Sequence, residues 1–512
     1  MLNKIKKQIL PMLETLGEAL GQYLSAPSDS MQGEVSEFVY AIAVQLVEES
    51  KEAFTLAERL ISSLQDTSTD EVERIYMEFC EKVEALPTQY KVVFLPYYDN
   101  TWDSLASVYE AFAADPMFVT EIVIIPISRN TPTGNKYVYN DYLTPQGIPN
   151  THYDEYDYKT DLPDVVFYNQ PYDGVNFPKF KSHNIKPYAG LMVYVPYFVT
   201  CNGYLTAERK EELVIPMTEL PGHNNADIMV IQGDWFIKLF SNLSKNISKM
   251  IALGNPKTDN MHKLSESGQW TRHSEWEKKI GSRRTFLLNT HYTFIDSEYR
   301  NDIYHLLDCL FDFLAVNSNT ALIWRPHPQT FYMAENRTDE NANKLIRYIE
   351  AAQSSDRIIF DQTNSVVSAF MYSDAVISQL SSIVAEAVCM NKPIFLIGGD
   401  MQKKWDWNDM QQQYESSYQS ILDDAKESNN NNCYLHGAVF HLGAEEVIPI
   451  GEDYFEYAWK APFMRFLDEI ADGIDSKKEV RERVRNHFFA NNDGTCGSHI
   501  LKHVKALLGG DS

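Results

Sequence analysis

The stretch SDAVISQLSSIVAEAVCMNKPIFLI, residues 373–397, decides the fold. Its apolar run AVIS predicts a buried strand, SSIVAEAVCMN predicts a helix, and KPIFLI predicts a second strand. A strand, a helix and a further strand in this order form a βαβ unit, in which the two strands lie parallel. The same alternation begins upstream with three strand-like runs: RRTFLLNT (283–290), TALIWR (320–325) and RIIFDQ (357–362). We therefore predict a doubly wound, Rossmann-like α/β domain over residues 281–512, with closing helices at its end.

A second series of short apolar runs precedes this domain. The runs are KVVFLPYY (91–98), TEIVIIPI (120–127), LPDVVFYNQ (162–170), GLMVYVPYF (190–198) and ADIMVIQGD (226–234). Helix-like segments separate some of them. The runs predict another Rossmann-like domain over residues 89–280. The fold class is thus α/β, with two doubly wound domains.

Residues 1–88 show a helical period instead. Apolar residues recur at three- and four-residue steps, as in Ile5, Ile9, Met12, Leu16, Leu20 and Tyr23. The pattern predicts three helices, with breaks near residues 25–34 and 65–68. We interpret the region as a bundle that packs on the rest of the chain or forms a dimer face. A basic amphipathic first helix that contacts membrane lipid is the alternative.

Composition narrows the possible functions. The 512 residues carry 45 Lys and Arg against 71 Asp and Glu, a net charge of −26, which disfavours nucleic acid as a partner. No run of apolar residues is long enough for a membrane span, and the first residues do not resemble a signal peptide. The 6 cysteines are far apart and the 13 histidines lack metal-ligand spacing. We expect reduced thiols, no metal, no cofactor and a cytoplasmic location.

Two strand ends carry the residues that point to a ligand. Arg325 and His327 leave the strand TALIWR, and Pro326 and Pro328 hold the chain extended there. In open α/β sheets, ligands bind beyond the carboxyl ends of the strands. These cationic side chains are therefore candidate phosphate ligands.

The second strand end lies in the stretch quoted first. Ser381 and Ser382 follow the strand AVIS and open a helix, where free N–H groups and the helix dipole favour a phosphate. Glu386 lies one turn further on the same helix face, where a carboxylate suits a ribose diol. Asp374, next to the same strand, joins the candidate substrate-binding residues. Taken singly, the serines are ordinary helix caps and His327 is an ordinary core histidine, but together the groups predict a nucleotide diphosphate site.

Three segments of the chain resemble the CDP-glycerol glycerophosphotransferases of teichoic acid and capsule synthesis. They are LIWRPHP (322–328), SDAVISQLSSIVAEAVCMNKPIFLI (373–397) and the late FFANNDGTCGSHILKHV (488–504). The resemblance covers residues 283–505 and implies a GT-B fold. It also implies that His327 binds the pyrophosphate of a cytidine nucleotide, that Ser381 and Ser382 bind its phosphates, and that Glu386 holds its ribose.

The same resemblance implies a histidine base that activates the acceptor, normally within a W-H-G segment of the first domain. That segment is not legible here, and Gln379 and Leu380 stand where the family usually has D-x before the paired serines. His223, His291 and His183 are the histidines that compete for the role of the base.

The resemblance thus implies an enzyme of cell-wall or capsule biogenesis. It would move glycerol phosphate, or a related polyol phosphate, from a CDP-linked donor to a glycan or polyol-phosphate acceptor, and would release CMP. One alternative is another GT-B enzyme, a glycosyltransferase or a nucleotide-sugar 2-epimerase. The other is a non-catalytic scaffold subunit. Peripheral attachment to the inner face of the cell membrane, or oligomerisation, would involve the N-terminal helices.

Overall fold

The computed structural model shows a helical region followed by two parallel-sheet domains. It describes residues 1–66, 68–96, 101–131, 134–138, 148–200, 210–292, 300–363, 366–379, 381–397, 447–448 and 460–509. The predicted α/β class with an N-terminal helical region is confirmed.

The N-terminal region contains four helices where the sequence pattern predicted three. They are α1 (Asn3–Ser25), α2 (Asp29–Leu46), α3 (Lys51–Asp66) and α4 (Thr69–Glu84). The predicted middle helix is divided because the chain turns after Leu46, and the hydroxyl of Ser50 then accepts a hydrogen bond from the Ala53 N–H at 3.2 Å. This bond stabilises the start of a new helix.

The first helix contacts the rest of the chain through its apolar face and through two lysines near its start. Its apolar side, which includes Leu13 and Leu16, is buried in the core of the bundle. Lys4 contacts Asp161 of the first sheet domain, at 3.4 Å between Nζ and Oδ1, and Lys6 donates to the carbonyl of Glu84 at 2.9 Å. This arrangement favours the bundle interpretation over contact with lipid.

The first sheet is parallel and seven-stranded, in the order β5-β2-β1-β6-β7-β8-β9. Its strands are β1 (Tyr90–Leu95), β2 (Phe118–Ile124), β5 (Thr151–His152), β6 (Val165–Tyr168), β7 (Leu191–Tyr194), β8 (Ile228–Ile231) and β9 (Met250–Ala252), and a separate antiparallel hairpin is made of β3 (Ile127–Thr131) and β4 (Gly134–Val138). Its helices are α5 (Asp103–Ala114), α6 (Tyr158–Asp161), α7 (Ser182–Ile185), α8 (Lys210–Thr218), α9 (Pro221–Asn225), α10 (Asp234–Phe240), α11 (Pro256–Ser267) and α12 (Ser274–Ile280), with short 3-10 helices at Pro178–Phe180, Lys186–Tyr188 and Ile247–Lys249.

The second sheet is also parallel, with six strands in the order β12-β11-β10-β13-β14-β15. Its strands are β10 (Arg284–Thr290), β11 (Thr320–Pro326), β12 (Ile358–Phe360), β13 (Ala375–Gln379), β14 (Ile394–Ile397) and β15 (Val447–Ile448). The helices between them are α13 (Arg300–Val316), α14 (Pro328–Asn336), α15 (Glu340–Ser354), α16 (Val367–Tyr372) and α17 (Ser382–Cys389).

Each strand order contains one point where the winding reverses. In the first sheet it lies between β1 and β6, and in the second it lies between β10 and β13. Loops that leave neighbouring strands there diverge to opposite faces of the sheet, which opens a crevice at the carboxyl edge. The two reversal points are therefore the places where the fold can bind ligands.

Three helices complete the chain: α18 (Lys460–Ala471), α19 (Lys478–Phe488) and α20 (Cys496–Leu507). The last of them departs from the predicted second domain, because it packs on α5 and α11 of the first domain. The carboxylate of Asp259 in α11 accepts hydrogen bonds from the backbone N–H groups of Cys496, at 3.1 Å, and Gly497, at 2.9 Å. The chain thus crosses back at its end and ties the two domains together.

Candidate functional site

Three side chains meet at the carboxyl edge of the second sheet, at its reversal point. His291, His327 and Gln379 end or follow β10, β11 and β13, which are adjacent strands. The backbone N–H of His327 donates to the carbonyl of Thr290 at 2.8 Å, and the N–H of His291 donates to the side-chain oxygen of Gln379. The two imidazole rings lie 4.7 Å apart between centroids.

Burial lowers the pKa of both histidines below the ordinary value of 6.5, and the neighbouring His291 lowers the pKa of His327 further. Both rings are therefore neutral near neutral pH. A neutral imidazole keeps one N–H donor and one acceptor nitrogen, so each ring can still donate to a phosphate oxygen.

Three buried polar atoms at the end of β13 and in α17 have no hydrogen-bond partner among the residues that the structure describes. They are Nε2 of Gln379, Oγ of Ser381 and Oε2 of Glu386. Ser381 is the N-cap residue of α17, yet its hydroxyl does not cap the helix. Ser381 is therefore not an ordinary helix cap, because its side chain makes no capping hydrogen bond. Because buried polar groups are nearly always paired, unpaired groups at the start of a helix indicate a place where a polar ligand binds.

Glu386 also forms an ion pair that connects the two domains. Its side chain is 1% exposed, and Oε1 contacts Nζ of Lys257 at 2.6 Å. Lys257 lies in the first turn of α11, whose cap residue Asn255 accepts from the Lys257 N–H at 3.2 Å. A carboxylate that is removed from water needs such a counter-charge.

Asp103, the first residue of α5, belongs to the same group of charges. It follows β1 at the reversal point of the first sheet. Burial raises the pKa of its carboxyl, Lys257 lowers it and Glu386 raises it. Nδ2 of Asn260 donates to its Oδ1 at 3.3 Å. Charged groups of both domains thus face one another across the cleft.

The structure separates Arg325 from His327. The guanidinium of Arg325 pairs with Oδ2 of Asp361 at 2.6 Å and contacts Oγ1 of Thr363 at 3.2 Å, both in the loop after β12. His327 packs instead against His291, which follows β10. The two residues therefore stand at one strand end but point to different neighbours, and of this pair the structure brings His327 alone to the reversal point.

Asp374 lies at the opposite edge of the sheet. It precedes β13, where its Oδ1 pairs with Arg284 at 2.9 Å and its Oδ2 accepts from the N–H of Thr285 at 2.8 Å. Arg284 and Thr285 begin β10, so this carboxylate joins the amino ends of two parallel strands. The expected grouping of Asp374 with Ser381, Ser382 and Glu386 is thereby corrected.

The histidines considered as bases in the first domain differ in exposure. His223 is 2% exposed, its Nδ1 accepts from the N–H of Leu220 at 3.2 Å, and burial lowers its pKa to about 3. It is placed as a structural group at the start of α9. His183 is exposed and lies 3.2 Å from Asp173, between Nδ1 and Oδ2. Of the three candidates, the structure brings only His291 to the cluster.

Sequence reasoning missed Asp103, Lys257 and Gln379. Gln379 had a detectable signal, since it ends a predicted strand beside the paired serines. Asp103 also follows a predicted strand of the first domain, KVVFLPYY, but the expected base was a histidine. Within the described ranges, no cluster of His, Cys, Asp and Glu suited to a metal ion is found. In the same part of the chain, every helix is too short or too polar to span a bilayer.

Comparison with known proteins places the fold. No family model matches the chain, and no curated protein matches its sequence. A Listeria monocytogenes structure named as a UDP-N-acetylglucosamine 2-epimerase superposes with a TM-score of 0.50 at 12% identity, over 82% of this chain and 97% of that one. The UDP-GlcNAc 2-epimerase of Neisseria meningitidis gives 0.46 at 10% identity, over 81% and 100%. The wall teichoic acid polymerase TagF gives 0.44 at 13%, over 90% and 99%. The chain therefore has a GT-B-like fold.

Proposed function

We propose that the chain transfers glycerol phosphate, or a related polyol phosphate, from a CDP-linked donor to a hydroxyl of a cell-wall or capsular polymer, with release of CMP. The observation that carries the proposal is the set of unpaired buried polar atoms at the start of α17, on Gln379, Ser381 and Glu386. They lie at the reversal point of a parallel sheet, where nucleotides bind in folds of this kind.

Each part of the donor has a matching group. The pyrophosphate meets the N-terminus of α17 with Ser381 and Ser382, and the imidazoles of His291 and His327 donate to its oxygens. The free oxygen of Glu386 accepts from a ribose hydroxyl. The resemblance of LIWRPHP and of the βαβ stretch to the CDP-glycerol glycerophosphotransferases supports cytidine as the base and a polyol as the transferred group.

Catalysis in this proposal depends on charge and on the exclusion of water. Helix N–H groups and Lys257 stabilise the negative charge that develops on the leaving CMP phosphate. Closure of the two domains keeps water away from the donor and prevents its hydrolysis. The chain would act in the cytoplasm and meet its polymer at the inner face of the cell membrane.

A nucleotide-sugar 2-epimerase is the second candidate. The described loops after β1 and β6 contain no histidine, whereas a carboxylate, Asp103, stands at that point. Removal and return of a proton at a sugar carbon needs such acid–base groups, and the TM-score of 0.50 relates this fold to a structure named as a 2-epimerase.

One experiment separates the candidates. The purified chain is incubated with CDP-glycerol and with CDP-ribitol, each with teichoic-type acceptors, and CMP release is measured; UDP-N-acetylglucosamine is tested in parallel for epimerisation. CMP release that depends on the acceptor supports the transferase. Epimerisation without CMP release supports the second candidate. Failure to bind any of these nucleotides supports a scaffold.

His327→Ala is the matching variant. Loss of a hydrogen bond to a charged phosphate should weaken CDP binding by about tenfold or more and lower CMP release at least as much. His499→Ala is the control, because that side chain is exposed on α20. Unchanged binding and turnover in the His327 variant would contradict the assignment of this residue.

A further inference from the structure

Among the described residues that follow β1 and β6, no histidine stands at the reversal point of the first sheet to accept the proton of the attacking hydroxyl. This reversal point is formed by the loops after β1 and β6. In the described parts of these loops, Nδ2 of Asn169 donates to the carbonyl and hydroxyl of Thr101, both at 3.1 Å, and Gln170 bonds to Asn176. These neutral groups hold the loops together. The carboxylate of Asp173, in the loop after β6, is engaged, since it accepts from the N–H and the hydroxyl of Ser182, both at 2.8 Å.

We propose that Asp103 is the base that takes the proton from the acceptor hydroxyl. This inference rests on the proposed transferase function and deepens it, because it supplies the residue that the sequence left unassigned. Asp103 lies at the carboxyl edge of the first sheet, on the side of the cleft that faces the donor cradle of the second sheet.

The hydrogen bonds of Asp103 leave it free to act. Among the described residues, Asn260 is the single side chain that donates to the carboxyl, and it binds Oδ1. Oδ2 is left for a substrate hydroxyl. Asp259, one position before Asn260, is by contrast fully engaged, since it accepts from Ser107, Cys496 and Gly497. Of these two neighbouring acids, Asp103 alone has an oxygen available.

Two charged groups from other elements face Asp103. Lys257 approaches from α11 of the first domain and Glu386 from α17 of the second. Glu386 connects Asp103 to the donor cradle, because this carboxylate is 1% exposed, contacts Lys257 at 2.6 Å and keeps Oε2 unpaired. A donor ribose bound to that oxygen would place the diphosphate beside Lys257 and Asp103.

Electrostatics support the role. Burial raises the pKa of the Asp103 carboxyl above its ordinary value of 3.8, and Glu386 adds to the effect while Lys257 opposes it. A carboxylate with a raised pKa is a stronger base than one in water. The ionised form is the active one, so the rate should rise with pH through the pKa of Asp103 and then level off.

The O–H bond of the acceptor breaks, and its proton goes to Oδ2 of Asp103. The acceptor oxygen forms a bond to the phosphorus that carries the polyol, and the bond from that phosphorus to the bridging oxygen breaks. The bridging oxygen leaves with the electron pair as part of CMP, and the carboxyl later returns the proton to water.

The test compares Asp103→Asn with the wild type and with Glu110→Gln in the full chain. Glu110 lies on the same helix, and its exposed carboxylate pairs with Lys263. Loss of a general base should lower acceptor-dependent CMP release by at least about 100-fold. CDP-glycerol affinity, measured by calorimetry, should stay within about threefold, since Asp103 faces the acceptor side. Glu110→Gln should match the wild type in both measurements.

The pH profile distinguishes a base from a structural carboxylate. The acidic limb of the wild-type rate profile should be absent in Asp103→Asn and present, with a reduced rate, in Asp103→Glu. Wild-type turnover in Asp103→Asn overturns the assignment of Asp103 while the transferase function stands. A wild-type chain that binds CDP-glycerol and releases no CMP with any acceptor refutes the proposed function itself, and the base role with it.

Discussion

Replacement of His223 by glutamine should make the protein less sensitive to mild acid. His223 is 2% exposed, and its Nδ1 accepts the N–H of Leu220 at the start of α9, so the folded protein holds the ring neutral. Burial lowers its pKa to about 3 from the ordinary 6.5. For a lowered pKa, the stabilisation is present above the unfolded value and is lost as pH falls towards the folded value.

The size of the effect follows from the two pKa values. A difference between 6.5 and about 3 corresponds to about 5 kcal/mol when pH has fallen below both, because one pKa unit is worth about 1.4 kcal/mol. Between about pH 7 and about pH 5, the unfolded chain takes up most of its proton and the folded chain takes up none. That interval should remove about 2 kcal/mol of stability in the wild type.

Urea unfolding followed by tryptophan fluorescence can measure this, since the chain has 8 tryptophans. The change in unfolding free energy between about pH 7 and about pH 5 should be about 2 kcal/mol smaller in His223→Gln than in the wild type. Glutamine can also accept the Leu220 N–H, so the variant should fold. His499→Gln, at an exposed position, should behave as the wild type. Parallel pH curves for His223→Gln and wild type would refute the reasoning, as would loss of CMP release at neutral pH.

The remaining predictions concern stability. Lys257→Met should lower the free energy of unfolding by about 3–5 kcal/mol, because Glu386 is left as a buried, unpaired charge. Glu386→Gln should lower it less, because Lys257 is 17% exposed and can reach water. Thermal unfolding of both single variants and of the double variant should show coupling, and additive losses would contradict it. Gly497→Ala should destabilise by about 1–3 kcal/mol, since a Cβ there would lie 2.4 Å from the Ser107 carbonyl oxygen. Gly33→Ala, in a helix with nothing within 4 Å, should instead stabilise by about 0.5–1 kcal/mol, and equal effects of the two changes would exclude the close contact.

The sheets could be predicted because a buried parallel strand has a local signature. TALIWR and KPIFLI are short apolar runs with a polar residue at one or both ends. The observed strands β11 and β14 coincide closely with these runs. The predicted boundary between the sheet domains, at residues 280 and 281, lies between β9 and β10. These features depend on residues close together in the chain, which is why pattern reasoning reaches them.

The misplaced elements depend on contacts with distant residues. The helix α20 has an ordinary amphipathic pattern. Such a pattern predicts that the helix packs on a neighbouring element, but it does not identify that element. Its position on the first domain depends on the close approach of Gly497 to Ser107 and on the hydrogen bonds that its backbone N–H groups donate to Asp259. Asp374 was misassigned for a related reason, since it stands next to a strand at the end where ligands do not bind.

The site was predictable in part. The sequence could place His327 and Ser381 at the carboxyl ends of predicted strands, because those positions follow from the strand order of a βαβ series; their binding of a nucleotide stays a prediction. The partner of Glu386 could not be read in this way, because Lys257 lies 129 positions away in another domain. Asp103 was missed because the sought base was a histidine, although its place after a strand and at a helix start was visible.

A net charge of −26 makes the composition of this site informative. An anionic diphosphate that approaches such a chain is repelled at long range, although salt limits that repulsion to roughly 8 Å under physiological conditions. Attraction must therefore come from groups within a few ångströms. Arg325 is paired with Asp361, so among the described residues of the proposed site the helix N-terminus, the two imidazoles and Lys257 would supply it. Lys257 is itself paired with Glu386 and becomes available to a phosphate only when another group satisfies that carboxylate. A ribose diol next to a diphosphate would do both, so under the proposed function the cleft should bind a nucleotide more tightly than a free phosphate.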